Sequence, residues 1–334
     1  MSVTMKQIAA IAGVTPTTIS LVMRDSRKVS QKTKVKIRKL MEEMDYYPDI
    51  SGRNLKQGKT NNIAILSTFF HGIFKMEFVN GVESVIIDTP YRLNQFYTGN
   101  GEESKKYKEI LLGKLADAVI TMSIKSDPLL LHKMRDAGKH IVLVEDVIEG
   151  FPGVKFDNFR GAYMATEHLI KSGRKKIAFS IAALKAFSGH QNVDERIKGY
   201  KKALKDYGLV FDKNMFVELN HYSIETGRQI FNILKANKCK YDAIFCASGD
   251  ITAAGFIKEA AANKLKVPDD IAVIGFDDTI IASATTPGLT TIRQPAHQMG
   301  QAACKLAISL IENKEGDNNQ IIVFNPELIK RESA

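Results

Sequence analysis

Cysteine is scarce in this chain, and so is every feature that would tie it to a disulfide scaffold, a metal or a bilayer. Its three cysteines, Cys239, Cys246 and Cys304, are odd in number and never stand in C-x-x-C spacing. That argues against a disulfide framework and a structural zinc site, and for a reducing compartment. No stretch approaches the roughly 18 consecutive apolar residues of a membrane helix. The first 14 residues lack the apolar run and small-residue cleavage site of a signal peptide, so the expected location is the cytoplasm. H-E-x-x-H, P-loop, G-x-G-x-x-G and G-x-S-x-G motifs are all missing; Gly99-Asn100-Gly101 has neither the third glycine nor the strand-to-helix context. The seven histidines are scattered, and His168 sits on a helix-patterned face where packing or exposure explains it. Nothing implies a metal, a cofactor or a catalytic residue. Internal repeats and low-complexity segments are absent too.

What is present is a folded composition. The 334 residues are 44% hydrophobic and 25% charged, enough for two or three domains with a sizeable core. Net charge is +10 and unevenly placed. Residues 1–60 hold 12 Lys/Arg against 5 Asp/Glu, a net of +7, whereas residues 61–334 hold 35 against 32, a net of +3. A basic module ahead of a nearly neutral body points to a polyanionic partner, a solvated basic face being the plain alternative.

That module reads as three short helices. Thr4 and Gln7 have capping-box spacing, Ile8, Ala9, Ile11 and Ala12 form an apolar stripe, and Gly13 ends the helix. Thr15 caps the second helix, with Pro16 at its first position and Ile19, Val22 and Met23 facing inward. After a loop over residues 25–29, Ser30 caps a third helix in which Val35, Ile37, Leu40, Met41 and Met44 recur at helical spacing. Two helices joined by a tight glycine turn inside a basic three-helix unit describe a helix-turn-helix, whose second helix enters the major groove.

From Asn61 the texture changes. Short apolar runs at 63–66, 95–97, 118–122, 141–144, 177–181, 216–219, 243–246, 272–276 and 321–324 alternate with helical patterns such as 77–87, 163–172, 195–207, 225–236 and 252–263. Strands alternating with helices mean α/β architecture with parallel sheets, and nine or more strands fit two doubly wound lobes.

The residues Thr4 to Met23 (T-M-K-Q-I-A-A-I-A-G-V-T-P-T-T-I-S-L-V-M) resemble the opening of the lactose repressor/galactose repressor family. Val29-Ser30, Tyr46-Tyr47-Pro48, Leu55 and Gly58-Lys59-Thr60 continue the match, and the likeness runs through to the C-terminus. It implies a helix-turn-helix at 1–47, a hinge at 48–60 and a two-lobed core at 61–334 like periplasmic sugar-binding proteins. The implied N-lobe is about 61–158 plus 293–323, and the C-lobe about 159–292 plus 324–334. The chain would cross between lobes near residues 157–159, 290–293 and 324–326, with ligand in the crevice at the carboxyl ends of the strands.

The resemblance also places candidate site residues. For DNA these are Thr4, Pro16, Thr17, Thr18, Leu21 and Ser30 in the module, and Arg53, Leu55 and Lys56 in the hinge, where Leu55 would wedge into the minor groove. Gly52 and Asp49 depart from the family's alanine and asparagine; the glycine costs about 1 kcal/mol in helix propensity, and the carboxylate repels phosphate. Leu21 stands where relatives carry arginine or another polar residue.

For effector, Arg196 in Asp194-Glu195-Arg196-Ile197-Lys198-Gly199 matches the family's ligand arginine; an exposed ion-paired arginine is the plain alternative. Asp277 ends a strand at Ile274-Gly275-Phe276-Asp277-Asp278; a glycosidase pair is weak here because adjacent carboxylates point apart. Tyr222, Phe74, Glu77, Glu145 and Asp157 complete the set. Gly249, in Ala247-Ser248-Gly249-Asp250, replaces an asparagine that often contacts ligand.

The expectation is therefore a homodimeric transcription regulator, a repressor, on pseudo-palindromic operator DNA, answering to a small carbohydrate-like effector and not an enzyme. No heptad pattern for tetramerisation follows the last strand pattern. The alternative is a cytoplasmic solute-binding protein or sugar-processing enzyme with a basic N-terminal extension.

Overall fold

The computed structural model describes residues 3–47, 59–68, 72–99, 102–182, 190–219, 221–238, 240–313 and 319–334. The chain divides into two compact units, Met1–Thr60 and Asn61–Ala334.

The first unit holds α1 (Met5–Ala12), α2 (Pro16–Met23) and α3 (Gln31–Glu43). Each helix starts where a side chain satisfies its first free N–H groups. The Thr4–Gln7 capping box closes α1 and Gly13 ends it in the left-handed conformation; Thr15 caps α2 with Pro16 at its first turn, and Ser30 caps α3. Lys36 Nζ adds a 3.1 Å hydrogen bond to the Ala12 carbonyl. The core is built from Ile8, Ala9, Ala12, Ile19, Val22, Ile37 and Tyr46. Two residues of the expected stripes point outward instead: Ile11 and Val35 are each 57% exposed. Apolar spacing alone overfills a short helix's inner face. With 3.6 residues per turn, positions 8, 9 and 12 already cover it.

The second unit opens with β1 (Asn62–Ser67), α4 (Ile73–Ile86), β2 (Arg92–Tyr97), α5 (Glu103–Leu112), β3 (Ala118–Met122), α6 (Pro128–Asp136), β4 (His140–Val144) and β5 (Gly153–Phe156). It continues through α7 (Asn158–Lys171), β6 (Ile177–Ala182), α8 (Gln191–Asp206), β7 (Phe216–Leu219), α9 (Ile224–Ala236), β8 (Ala243–Cys246), α10 (Asp250–Ala262), β9 (Ala272–Asp277), α11 (Ile280–Ala284) and β10 (Thr290–Arg293). It closes with α12 (Ala296–Ile311), β11 (Ile321–Phe324) and β12 (Glu327–Ile329).

Two six-stranded sheets result, ordered β11-β5-β4-β3-β1-β2 and β12-β10-β9-β8-β6-β7. Every ladder is parallel except β10 with β12. The strands read as near-continuous apolar runs because helices cover both faces. The chain passes between the sheets after β5, after β10 and after β11. In each sheet it steps outward to one neighbour and then returns to the other side of its first strand. This reversal, at β1/β3 and at β6/β8, opens a crevice at the strands' carboxyl ends. Helix α12 returns to the first lobe and packs closely on α4: a Cβ on Gly300 would lie 2.1 Å from the Phe78 carbonyl oxygen, and one on Gly81 would lie 2.0 Å from that of His297. Among the described residues no helix is long and apolar enough to cross a membrane.

Candidate functional site

In the first unit, the start of α2 is open to solvent. Pro16 and Thr17 are exposed and Thr18 half-buried, its hydroxyl 3.0 Å from that of Thr15. Leu21, one turn beyond Thr17, is half-buried and is not among the side chains packed on the three-helix core. Thr4 and Ser30 spend their hydroxyls on caps yet remain exposed, so backbone and side chain at both helix starts are open to solvent. Lys6, Arg24, Arg27, Lys28 and Lys32 are exposed, whereas Lys34 is buried and pairs with Asp25 at 3.0 Å. The exposed start of α2 and these exposed cations fit a polyanionic partner. Arg53, Leu55 and Lys56, with Asp49 and Gly52, lie outside the described residues.

In the second unit, a cavity of about 340 Å3 lies at the carboxyl ends of both sheets, within the range of about 300–1,000 Å3 usual for small-molecule sites. The first lobe contributes the start of α4 (Gly72 to Met76), Ser123 after β3 and Glu145 after β4. The second contributes Asn192, Val193 and Arg196 from α8, Tyr222, the segment from Ser248 to Ile251, Asp277 at the end of β9 and Thr279, and Gln294 lines it where the chain leaves β10. Five expected effector residues therefore meet in one place: Phe74, Glu145, Arg196, Tyr222 and Asp277. Two do not line it. Glu77 is exposed on α4, one residue past the lining stretch, and Asp157 caps α7 by accepting from the Arg160 N–H at 2.9 Å. The resemblance fixes a position in the chain, and the helical turn at the start of α4 carries Glu77 off the lining stretch.

Arg196 is 9% exposed. Its Nε donates to Asn158 Oδ1 at 2.8 Å, its Nη1 to the Ala247 carbonyl at 2.7 Å, and its guanidinium lies 3.8 Å over the Phe276 ring. Three fixed partners hold the planar fork at the crevice wall. Glu145 accepts from Ser123 Oγ and, across the lobes, from Asn192 Nδ2 at 3.3 Å. A second interlobe tie lies beside it, where Asp146 meets His190 Nδ1 and accepts the Gln191 N–H at 2.8 Å. Asp277 Oδ1 accepts from Gln294 Nε2 at 2.5 Å.

Burial governs the electrostatics. It holds Asp277 above the ordinary carboxylate range, against the pull of Arg196 and with Glu145 adding to the rise. Asp250 is raised for the same reason, with Asp277 adding to it; it accepts from Thr291 Oγ1 at 2.6 Å and from the Thr279 N–H at 2.6 Å, which ties the start of α10 to β10. Lys75 donates to Ser67 Oγ at 2.7 Å, and burial pushes it down to about 7 despite Glu145. Tyr222 lines the crevice and is pushed up to about 12, also by burial first. Ser248, 3% exposed, lines the cavity and its Oγ finds no partner among the described residues. A buried hydroxyl left so costs about 1–3 kcal/mol, which a polar ligand would offset. Gly249 has φ +110°, a conformation L side chains rarely adopt, and a Cβ there would stand 3.0 Å from Asp277 Oδ2. The glycine therefore does more than drop an asparagine contact: it keeps the approach to Asp277 open.

Comparison with known proteins decides what carries this pairing of open basic helices and an interlobe cavity. Residues 4–49 match the model of bacterial regulatory proteins of the lacI family, and residues 166–334 match the periplasmic binding protein-like domain. The HTH-type transcriptional regulator RegA of Clostridium saccharobutylicum is 34% identical over 341 residues, covering 100% of both chains. The chain belongs to the lacI family of bacterial regulatory proteins. The HTH-type transcriptional repressor PurR of Vibrio vulnificus is 31% identical, over 99% of this chain and 98% of that one. A transcriptional regulator CelR–cellobiose complex superposes with a TM-score of 0.73 at 26% identity, covering 99% of this chain and 100% of that one. This lacI-family member is a DNA-binding transcription regulator. These relatives carry the names of regulators, which the sequence's alternative of a solute-binding protein or sugar-processing enzyme does not fit.

Sequence reasoning missed Lys75, Ser123, Asn192, Ser248 and Gln294 in the crevice. Ser123 and Gln294 follow strands directly, as Glu145 does, and the same position rule would have found them. Nothing in the sequence marks a lysine such as Lys75 as buried.

Proposed function

We propose that this regulator is a cytoplasmic homodimeric repressor that releases or grips a pseudo-palindromic operator according to a carbohydrate-like effector held between its core lobes. Residues 1–47 read the two half-sites, residues 48–60 form the hinge with Leu55 as its wedge and Arg53 and Lys56 beside it, and residues 61–334 bind effector and pair the subunits. Within that core the N-lobe is about 61–158 plus 293–323 and the C-lobe about 159–292 plus 324–334.

The observation that carries the reading is the cavity lined from both sheets. A ligand touching Glu145 and Phe74 on one side and Arg196, Tyr222 and Asp277 on the other binds differently as the lobes move. Differential affinity for two states is the requirement for coupling a ligand to a distant site. The uncommitted Ser248 hydroxyl, the acceptors on Asp277 and Glu145 and the ring of Tyr222 suit a polyhydroxylated ligand, and the CelR complex holds cellobiose in a chain of this fold. Thr17 and Leu21 present a hydroxyl, a methyl and an apolar side chain to base edges, with Thr4, Pro16, Thr18 and Ser30 around them.

Selection of binding sites from randomised DNA with the full chain tests this. The expected product is two inverted half-sites whose central spacing is fixed. Enrichment of a single unpaired site, or of none, contradicts the dimeric reader.

A further inference from the structure

Glu145 and Asp277 line the crevice without an ion pair to either of its two cations, Lys75 and Arg196. Glu145 follows a strand of the first sheet and Asp277 ends a strand of the second, and both have positive φ, +73° and +107°. Such backbone costs on the order of 1–3 kcal/mol at a non-glycine residue and persists where surrounding structure imposes it. Among the described non-glycine residues that line the cavity, Ser123, Glu145 and Asp277 adopt it, each where a strand ends at the crevice. Among the described residues neither has a Lys, Arg or His nitrogen within 4.0 Å. Arg196 acts on Asp277, and Lys75 on Glu145, through space only. The guanidinium spends its Nε and Nη1 on Asn158 and Ala247 instead. One oxygen of Asp277 takes the Gln294 amide; the other, Oδ2, accepts from no described residue, and the missing Cβ of Gly249 leaves it uncovered.

We propose that the crevice selects a cationic effector, a small polyhydroxylated compound bearing a protonated amine, with its ammonium between Glu145 of one lobe and Asp277 of the other. The proposal rests on the reading of this cavity as a carbohydrate-like effector site and names the class of compound it takes. The starts of α4 and α10 border the cavity and by themselves favour anions. An anionic ligand would nonetheless meet Glu145 and Asp277 at close range, which disfavours a phosphorylated or acidic sugar. A neutral sugar would leave the two carboxylates repelling each other across the closed crevice. An ammonium converts that repulsion into two charge-assisted contacts and draws the lobes together. Burial holds Asp277 above the ordinary carboxylate range, and an ammonium at its open Oδ2 would favour the charged form.

Calorimetric titration of the full chain against matched sets decides it. Each set holds an amine, its hydroxyl counterpart and its N-acetyl counterpart: glucosamine, glucose and N-acetylglucosamine; the galactosamine and mannosamine equivalents; and the β-1,4-linked glucosamine dimer, cellobiose and the N-acetylated dimer. At least one amine is expected to bind at least tenfold more tightly than both its partners. Asp277→Asn and Glu145→Gln, shown folded by thermal melting, are each expected to lower that preference at least threefold. A neutral member binding as tightly as its amine overturns the charge selection and leaves the carbohydrate reading standing. A preference unmoved by both variants overturns the placement of the ammonium. Binding by no member of any set overturns this proposal and the carbohydrate reading together.

Discussion

Replacing Arg196 with alanine tests the crevice wall without any ligand in hand. The guanidinium supports two buried acceptors, Asn158 Oδ1 at 2.8 Å and the Ala247 carbonyl at 2.7 Å. Hydrogen bonds to a charged group contribute about 1.5–3 kcal/mol each. The contact with the Phe276 ring, at 3.8 Å, adds about 0.5–2 kcal/mol. These losses share one network and do not add fully, and alanine also escapes the desolvation of a buried charge. A net loss of about 3 kcal/mol is the result. At about 2–4 °C per kcal/mol for a body of this size, Tm falls by about 6–12 °C. Differential scanning calorimetry of the full chain at pH 7 reads this on the transition of the larger unit. Arg196→Lys should recover less than half of the loss, because one ammonium cannot stack on Phe276 and serve two acceptors that a planar fork reaches from different nitrogens. A Tm change under about 2 °C for the alanine variant, or complete rescue by lysine, would show that these contacts do not hold the wall.

Leu21→Arg should move base preference at one pair of each half-site toward G·C by about 1–3 kcal/mol, roughly 5- to 150-fold, since arginine can make the bidentate guanine contact that leucine cannot. Binding-site selection with both proteins checks it, and an identical preferred base would refute the placement of α2 in the groove. The pH dependence of stability should carry the signature of Asp250, which burial raises to about 8. Between the unfolded value near 4 and that folded value, the native chain holds a proton the unfolded chain has released, so this group's contribution to stability falls as pH rises through the window. Asp250→Asn should therefore gain on the parent chain between pH 5 and 8, by at most about 1.4 kcal/mol per pH unit; parallel stability curves from urea unfolding would contradict the burial argument. DNA affinity should fall steeply with salt. If each module sets four or five cations on phosphates, the log–log slope is about −7 to −9 for a dimer. A slope shallower than about −3 in fluorescence anisotropy would remove the phosphate contacts from the account.

Much of this was legible in the sequence, and the boundary between what was and was not has physical causes. Thr4, Thr15, Ser30 and Gly13 marked their helix ends because capping chemistry is local. Buried parallel strands such as β3 and β8 were readable because helices on both sides demand unbroken apolar runs. Strands β5, β10 and β12 escaped as strands: they are three or four residues long, and each carries a charge, Lys155 inside β5, Arg293 at the end of β10 and Glu327 at the start of β12. Ile11 and Val35 fit a helical stripe by spacing yet face solvent, since spacing does not say where a narrow inner face ends. In the crevice, the family resemblance supplied Arg196, Asp277 and Tyr222, and the strand-end rule supports Glu145. Glu77 and Asp157 also came from the resemblance, which gives positions along the chain and not side-chain directions; a helical turn and a capping bond turn them elsewhere. Lys75 and Asn192 became visible only once the two sheets stood opposite each other.

The measurement that tests the central claim most directly is the affinity of the full chain for its selected operator, with and without a saturating crevice ligand. Anisotropy titrations at fixed salt read both values. A ligand-responsive regulator requires them to differ by at least tenfold, a coupling of about 1.4 kcal/mol in either direction, within the about 1–3 kcal/mol typical of such linkage. Equal operator affinities with the cavity filled and empty would contradict the account.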